Sequence, residues 1–167
     1  VEFALKESEE NYRTIFENAS DVIVYLDRFG NIMNINKSIV ETFGREKEEL
    51  LGKNFTELGL FETKSLPLFA GMMRDVLLGE NYSLFETEIK HADGSRIPIE
   101  VSVCSVRKKG RKEGILCIVR DITERRKAEE ERRKNEEKIR KINDELKITN
   151  KELTEAQKEL ENLNKDL

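Results

Sequence analysis

The stretch IVRDITERRKAEEE, residues 118–131, joins a strand-like pattern to a helical one with no loop between them. Apolar residues run up to Arg120, and charged residues with helical spacing follow Thr123. Asp121 and Glu124 have the spacing of an N-cap and the third helical residue of a capping box, with Asp in place of Ser or Thr. The Asp121 carboxylate is therefore expected to cap the first helical turn, a contribution of about 1 kcal/mol. The stretch predicts a core strand joined rigidly to a helix that leaves the domain.

Beyond the junction, apolar residues recur at alternating steps of three and four, which is the a/d seam of a coiled coil over about four heptads. The seam consists of Ile139, Ile142, Leu146, Thr149, Leu153, Ala156, Leu160, Leu163 and Leu167. Carried back toward the junction, the same register places Arg125, Arg132 and Asn135 on the seam. The near half is therefore predicted to be a poor coiled coil and the far half a good one. A single helix over residues 122–167 would be about 70 Å long at about 1.5 Å per residue.

The charges that flank this seam favour parallel pairing. Acidic residues dominate the g positions, namely Glu145, Glu152, Glu159 and Asp166, and amides hold the e positions, namely Asn143, Asn150, Gln157 and Asn164. Antiparallel helices would set g against g and bring the acids together. Parallel helices set acidic g residues against amides, which can hydrogen-bond, so a parallel assembly is expected.

Before the junction, short helical and strand-like patterns alternate, which predicts an α+β domain. Residues 8–18 have helical spacing, and residues 21–27 and 31–35 predict a β-hairpin. Asn36 is expected to cap a helix that ends at Gly44. The apolar face of the first helix holds Tyr12, Ile15, Phe16 and Ala19. Two further helical patterns follow, over residues 46–52 and 66–78.

Three more strands are predicted before the junction. Residues 85–90 alternate between apolar and charged side chains, which is typical of a half-exposed edge strand. A second alternating strand begins at Ile97, after a turn that contains Gly94. Residues 115–119, like residues 22–26, are apolar on both faces, so these two strands are expected to be central and covered on both sides. The middle helices would cover one side, and the first helix or another chain the other.

Composition excludes several classes of partner. Charged residues make up 38% of the 167 residues, but both signs are interspersed and the net charge is −4. This gives no electrostatic case for binding nucleic acid or an anionic membrane surface. No apolar run approaches the roughly 20 residues of a membrane helix. Two cysteines far apart in the sequence suit a reducing, cytoplasmic compartment, and the start at Val1 favours an excerpt of a longer protein.

Several motifs occur in an order that resembles a PAS domain of the S-box type with its C-terminal DIT motif. They are SEENYRTIFENASDVIVYLD, DRFGNI, Asn36, FGREKEELLG, HADGSRIPIEVSV and IVRDITERRKAEEE. The resemblance covers roughly Ser8 to Glu131. It implies a five-stranded antiparallel sheet with helices on one face around a small-molecule pocket. The expected division is an N-terminal flanking helix over residues 1–19, the PAS domain over 20–121 and a signalling coiled-coil helix over 122–167.

The resemblance also implies a function. PAS domains are sensory and dimerisation modules, commonly joined by coiled coils to outputs such as histidine kinases. The chain is expected to be a cytoplasmic module and a parallel homodimer, in a parent that is membrane-anchored elsewhere or not at all, with any catalytic output domain beyond Leu167. Asp121, Ile122, Thr123 and Glu124 form the expected signal junction. The alternative is a ligand-free structural module that only dimerises its parent.

The candidate pocket residues are all apolar, so they fit a packed core as well as a ligand site. They are Ile39, Phe43, Phe55, Phe69, Met72, Met73, Phe85 and Val101. The adjacent methionines make the wall adaptable, which suits ligand entry or gap filling. No convergent polar groups name a ligand.

Cofactor chemistry has little support in the sequence. Flavin-binding relatives carry a reactive cysteine where this chain has EELLGKNF, and haem-binding relatives supply a histidine from a helix near the pocket. The single histidine, His91, lies beside a predicted turn, so neither haem nor covalent flavin is expected. Cys104 and Cys117 lie on predicted strands and fit small sheet residues or, as the alternative, a redox pair. No metal ligand cluster, phosphate-binding loop or nucleophile–base pair is visible, so no enzyme activity is expected.

Overall fold

The computed structural model describes residues 2–79, 83–108 and 110–165 of the chain. The chain divides into two compact units, Val1–Thr123 and Glu124–Leu167. The first unit contains the helices α1 (Glu2–Asn18), α2 (Ser38–Phe43), α3 (Lys47–Leu50) and α4 (Leu66–Leu78), with a 3-10 turn at Thr63–Ser65. Its strands are β1 (Val22–Asp27), β2 (Ile32–Ile35), β3 (Ser83–Lys90), β4 (Arg96–Lys108) and β5 (Arg111–Asp121). Helix α5 (Thr123–Lys165) follows β5 after a single residue.

The strands form one five-stranded sheet in the order β2-β1-β5-β4-β3. Every neighbouring pair is antiparallel. The two strands with apolar residues on both faces, β1 and β5, lie inside the sheet, and the alternating strand β3 lies at its edge. This confirms the predicted fold. A strand that is apolar on both faces is favoured at an interior position of the sheet, because more of its apolar surface is buried there than at an edge.

The inner face of the sheet carries the core. Val22, Ile99 and Ile115 are at most 1% exposed, and α2, α3 and α4 contribute the buried Phe43, Leu50 and Val76. Alternate residues along each strand point to this face, since successive side chains of a strand project to opposite sides. The helices therefore bury one face of the sheet, as expected.

The outer face of the sheet is not covered by α1. Leu84 is 52% exposed and Ile118 36% exposed on this face, while Tyr12 and Ile15 of α1 are 60% and 73% exposed. Of the apolar face predicted for the first helix, Phe16 is buried, and Tyr12 stacks on it at 5.6 Å between ring centroids. The expectation that α1 covers the outer face is wrong for the single chain. Its stated alternative, a cover supplied by another chain, stays a prediction.

The predicted helix cap at Asn36 is also wrong. Helix α2 begins at Ser38, its N-cap is Lys37, and no side-chain cap bond forms there. Asn36 is fully buried instead, and its amide is hydrogen-bonded to backbone groups of α1, β1 and the segment between them. Water can satisfy the backbone groups at an exposed helix end, but buried backbone groups need a partner within the protein. The Asn36 amide therefore bonds to the buried backbone groups and does not cap α2.

Helix α5 is a continuous helix as far as Lys165, and its 43 residues span about 65 Å at about 1.5 Å per residue. Its near half carries ion pairs at helical spacing, including Arg133 with Glu130 at 3.0 Å and with Glu137 at 3.4 Å. Such pairs between residues three or four positions apart favour the helical conformation. Across the described residues, every helix falls short of the length and apolarity needed to cross a bilayer.

Candidate functional site

A cavity of about 100 Å³ lies between the inner face of the sheet and helices α2, α3 and α4. All of the residues predicted to line a pocket border it, namely Ile39, Phe43, Phe55, Phe69, Met72, Met73, Phe85 and Val101. The helical spacing that placed Met72 and Met73 near Phe69 holds in α4, so these side chains form one wall. Their role in ligand binding stays a prediction.

Sequence reasoning missed most of the sheet side of the cavity. The additional lining residues are Val22, Val24, Leu26, Ile32, Ile35, Leu50, Leu60, Phe61, Ile89, Val103, Cys117 and Val119. Alternation along β4 could have found Val103, since it lies two residues from Val101. Cys117 and Val119 follow only from the register that pairs Val103 with Cys117 and Val101 with Val119.

A row of phenylalanines forms another part of the wall. Phe55 and Phe61 pack edge to face at 6.3 Å between centroids, Phe61 and Phe69 do so at 4.8 Å, and Phe69 and Phe85 lie tilted at 5.4 Å. Aromatic pairs in these arrangements contribute about 0.5–1.5 kcal/mol each beyond the area that they bury. The lining thus combines rigid aromatic rings with the flexible side chains of Met72 and Met73.

The two cysteines point to opposite faces of the sheet. Cys104 pairs with Leu116 and Val103 with Cys117, so Cys104 faces outward and Cys117 faces the cavity. Both are free, and this geometry favours small sheet residues over a redox pair. Burial raises the pKa of the Cys117 thiol from 9.0 to about 12, with a smaller contribution from Cys104. The thiol that borders the cavity is therefore protonated at neutral pH, which lowers its reactivity.

The end of β5 is held by its neighbours. Asp121 pairs with Ile99 of β4, and the Ile122 N–H donates to the Pro98 carbonyl at 3.0 Å. The Ile122 side chain is 2% exposed. Asp121 Oδ1 accepts a hydrogen bond from the Thr123 N–H at 2.7 Å, which is helix-starting chemistry like that predicted. The predicted partner Glu124 is exposed and pairs with Lys127 at 2.9 Å.

An ion pair beside the junction was not predicted. Arg120 Nη2 lies 2.7 Å from Asp21 Oδ2, and Arg120 Nε lies 3.2 Å from Asp21 Oδ1. The hydrogen bonds that Arg120 donates to the Asp21 carboxylate raise the pKa of the Arg120 guanidinium. The pair links the start of β1 to the end of β5 across the two interior strands, but its exposure to solvent keeps its contribution to stability small.

The C-terminal end of α1 is fastened to the domain by polar groups. Asn36 Nδ2 donates to the Phe16 carbonyl at 3.0 Å, and Glu17 accepts from the Lys37 N–H at 2.8 Å and from Lys47 Nζ at 2.7 Å. Burial opposes ionisation of Glu17, but the bonds from Lys47 and Lys37 outweigh it, so the pKa of Glu17 is lowered. Phe16 supplies the apolar part of this anchor.

His91 lies outside the cavity lining. Its Nδ1 is 2.9 Å from Asp93 Oδ1, and its ring packs against Gly44, where a Cβ would lie 2.9 Å from His91 Nε2. Gly44 has φ +65°, which suits the left-handed end of α2 and leaves room for this ring. The side chain is 24% exposed, so it is more buried than the predicted turn position suggested. Hydrogen bonds from the Ser95 side chain and N–H, with a smaller one from His91, lower the pKa of Asp93 to about 2.

The seam residues of α5 are exposed in the single chain. Ile139, Ile142, Leu146, Leu153, Leu160 and Leu163 are each between 51% and 66% exposed. Leu167, the last seam residue predicted, lies outside the described residues. Within the described ranges, no three His, Cys, Asp or Glu side chains are grouped closely enough to hold a metal ion.

Comparison with known proteins places this geometry in a family. The family model described as PAS fold matches residues 10–122. The PAS domain of an HTR-like protein from Haloarcula marismortui is similar with a TM-score of 0.62 at 25% identity, over 72% of this chain and 97% of that one. The methyl sulfide methyltransferase-associated sensor of Methanosarcina acetivorans is 35% identical over 129 residues, which are 75% of this chain and 12% of that protein.

A second relative adds a kinase to the comparison. The cell-division control histidine kinase PdhS of Brucella anthropi is 29% identical over 129 residues, which are 76% of this chain and 12% of that protein. The chain thus spans about an eighth of the length of both relatives. The matched family model, the five-stranded sheet and the cavity beneath it show that the chain belongs to the PAS family of sensory domains.

Proposed function

We propose that the chain is the sensory and dimerisation module of a larger signal-transduction protein, a sensor histidine kinase. A change in the cavity or the sheet passes through Asp121, Ile122, Thr123 and Glu124 to a parallel coiled coil formed by α5. The relatives named as a sensor and as a histidine kinase support this output class. The proposal includes the division of the chain into an N-terminal flanking helix over residues 1–19, the PAS domain over 20–121 and the signalling coiled-coil helix over 122–167.

One observation carries the coupling. A single residue, Ile122, separates β5 from α5, and both its backbone N–H and its buried side chain are held within the domain. A displacement of β4 or β5 therefore moves the first residue of α5 with it. Val101, Val103, Cys117 and Val119 on these two strands border the cavity. The path from the cavity wall to the helix thus runs along two paired strands.

The two halves of α5 suit the receipt and onward transfer of such a displacement. The near half is stabilised by ion pairs within one helix and has Arg125, Arg132 and Asn135 on its seam. Such a seam specifies register weakly, so two packings within a few kcal/mol of each other are expected. The far half presents an exposed apolar seam that specifies one register and carries the change onward.

The coupling is tested by disulfide crosslinking of single cysteines placed from Ala128 to Ile142, in a background without Cys104 and Cys117. The pattern is compared with and without a compound found to bind in a thermal-shift screen. We expect the wild-type pattern to change with the compound and the Asp121→Ala pattern to stay fixed. A wild-type pattern that never changes refutes the coupling. If the crosslinking pattern of the Asp121→Ala protein still changes with the compound, Asp121 acts only as a helix cap.

Homodimerisation is tested by light scattering of the Leu146→Lys, Leu153→Lys double variant. We expect it to be monomeric, because two charges on the seam cannot be buried against a partner. Ile148→Lys is the matched control, since Ile148 lies off the seam on the same helix and is 61% exposed. A double variant that remains dimeric would indicate that the dimer interface is formed by α1 and the outer face of the sheet, where apolar residues are also exposed.

The second candidate is a ligand-free module that dimerises its parent. The uniformly apolar lining favours it, since such a lining also fits an imperfectly packed core. A stoichiometric small molecule in native mass spectrometry of mildly purified protein decides between the two. Neither haem nor covalent flavin is part of the proposal, because His91 is not a lining residue and burial keeps the Cys117 thiol protonated. The two unpaired cysteines support the proposed cytoplasmic location.

A further inference from the structure

We infer that the cavity selects an uncharged ligand of about three to six heavy atoms that neither donates nor accepts hydrogen bonds, a small hydrocarbon or halocarbon. The inference rests on the proposed sensory function and names the chemical class that the domain recognises.

The lining determines the polarity of the ligand. Every side chain that borders the cavity is aliphatic, aromatic or sulfur-bearing, and among the described residues no nitrogen or oxygen atom reaches its surface. The N–H and C=O groups of the strands that line the cavity are hydrogen-bonded to neighbouring strands of the sheet. A hydroxyl, carboxylate or ammonium placed there would give up its hydrogen bonds to water and gain none in return, so polar ligands bind poorly.

The sulfur atoms that border the cavity do not make it suitable for polar ligands. Met72 and Met73 contribute thioether sulfurs, which are weak acceptors and polarisable surfaces. Cys117 contributes a thiol that is neutral at physiological pH, so it offers no charge to pair with a cationic ligand. Polarisable sulfurs and aromatic rings favour dispersion contacts with an apolar guest.

The size of the cavity determines the size of the ligand. At about 100 Å³ it has roughly two thirds of the volume of an engineered Leu-, Ile- and Phe-lined cavity of about 150 Å³ that stays dry and binds benzene or xenon. A nucleotide, flavin or haem is many times too large for this space. The unbranched Met72 and Met73 side chains allow some adjustment of the wall.

A matched pair of ring compounds tests the inference on the full chain. Cyclopentane and tetrahydrofuran have the same number of ring atoms, but tetrahydrofuran has one ether oxygen that accepts a hydrogen bond. We expect cyclopentane to raise the melting temperature, with a dissociation constant at least about tenfold lower than that of tetrahydrofuran. Xenon, followed by the ¹²⁹Xe chemical shift, is expected to report the same site. Equal or tighter binding of tetrahydrofuran, or no effect of cyclopentane and xenon, overturns the inference.

Two variants locate the binding. Val24→Leu with Val101→Ile adds methylene groups to side chains that border the cavity, so both cyclopentane and xenon should lose affinity. Val40→Leu is the control, because Val40 is exposed on α2 and is not a lining residue. If the double variant does not fold, Cys117→Val with the same two probes replaces it, since its added methyl group also enters the cavity. Undiminished binding in a folded, filled variant places the probes elsewhere and overturns the inference.

The failure of this inference is distinguishable from failure of the proposed function. Cyclopentane binding that leaves the α5 crosslinking pattern unchanged keeps the ligand class and refutes the coupling. A crosslinking pattern that changes with a polar or charged compound keeps the coupling and refutes the ligand class.

Discussion

Replacement of Asn36 by Ala tests how α1 is fastened to the domain. Asn36 is 0% exposed, and its amide makes three hydrogen bonds of 3.0 Å or less, with the Ile23 N–H, the Phe16 carbonyl and the Asp21 carbonyl. A typical hydrogen bond contributes about 0.5–1.5 kcal/mol net, and a buried group left without a partner costs about 1–3 kcal/mol. Three buried backbone groups left without a partner therefore predict a loss of at least about 3 kcal/mol. This is a large part of the roughly 5–15 kcal/mol that stabilises a typical domain.

The assay is urea unfolding followed by tyrosine fluorescence, with hydrogen exchange of α1 as the second measurement. Asn34→Ala is the control, because Asn34 is exposed two residues away and its side chain accepts one bond, from the Ile35 N–H at 2.9 Å. It should cost about 1 kcal/mol or less. Asn36→Ala should also speed exchange in the last turn of α1, because the Phe16 carbonyl loses its partner.

A second variant tests the orientation of the amide. Asn36→Asp keeps an acceptor for the Ile23 N–H but turns the donor toward Phe16 and Asp21 into a second acceptor, so at pH 7 it should be at least as unstable as Asn36→Ala. The reasoning fails if Asn36→Ala falls within about 1 kcal/mol of Asn34→Ala. A stable Asn36→Asp protein at neutral pH would show that the amide does not donate to these carbonyls.

Three further predictions concern the anchor of α1, the cavity and the junction. The pKa of Glu17 is lowered from 4.5, so its ion pair stabilises the fold above that pH and is lost as the pH falls through the lower folded value. The stability difference between wild type and Glu17→Gln should therefore vanish in acid, and a difference that persists unchanged at low pH would contradict this. Cys117 should resist iodoacetamide at pH 8 in the native protein and react in urea, since its pKa is raised to about 12. Mass spectrometry of the peptide that contains Cys117 follows the labelling. Rapid labelling of the native protein would show that water reaches the thiol. Ile122→Ala should cost about 2–4 kcal/mol in urea unfolding against about 1 kcal/mol for Asp121→Ala, because Ile122 is 2% exposed; equal losses would mean that the Ile122 side chain packs loosely.

The positions of the helices and the interior placement of two strands could be anticipated because they depend on local patterns. The α4 pattern predicted Leu66–Leu78, and the helix has the same bounds. The two-sided apolar runs identified β1 and β5 as interior strands, since the alternation of a strand is a property of neighbouring residues. The helix-side lining of the cavity followed in the same way from helical spacing around Phe69.

The amino-acid sequence by itself determined which segments are helices and strands, which of their faces are apolar, and that β5 passes into α5 at Asp121. These features depend on contacts between residues a few positions apart, where spacing and capping chemistry are sufficient. Tertiary structure alone decided that Asn36 is a buried link, that Cys117 and Val119 line the cavity, and that Arg120 meets Asp21. Each of these depends on a partner brought close by strand register or by the approach of α1. Register is set by the packing of whole faces, so no local window of the sequence contains it.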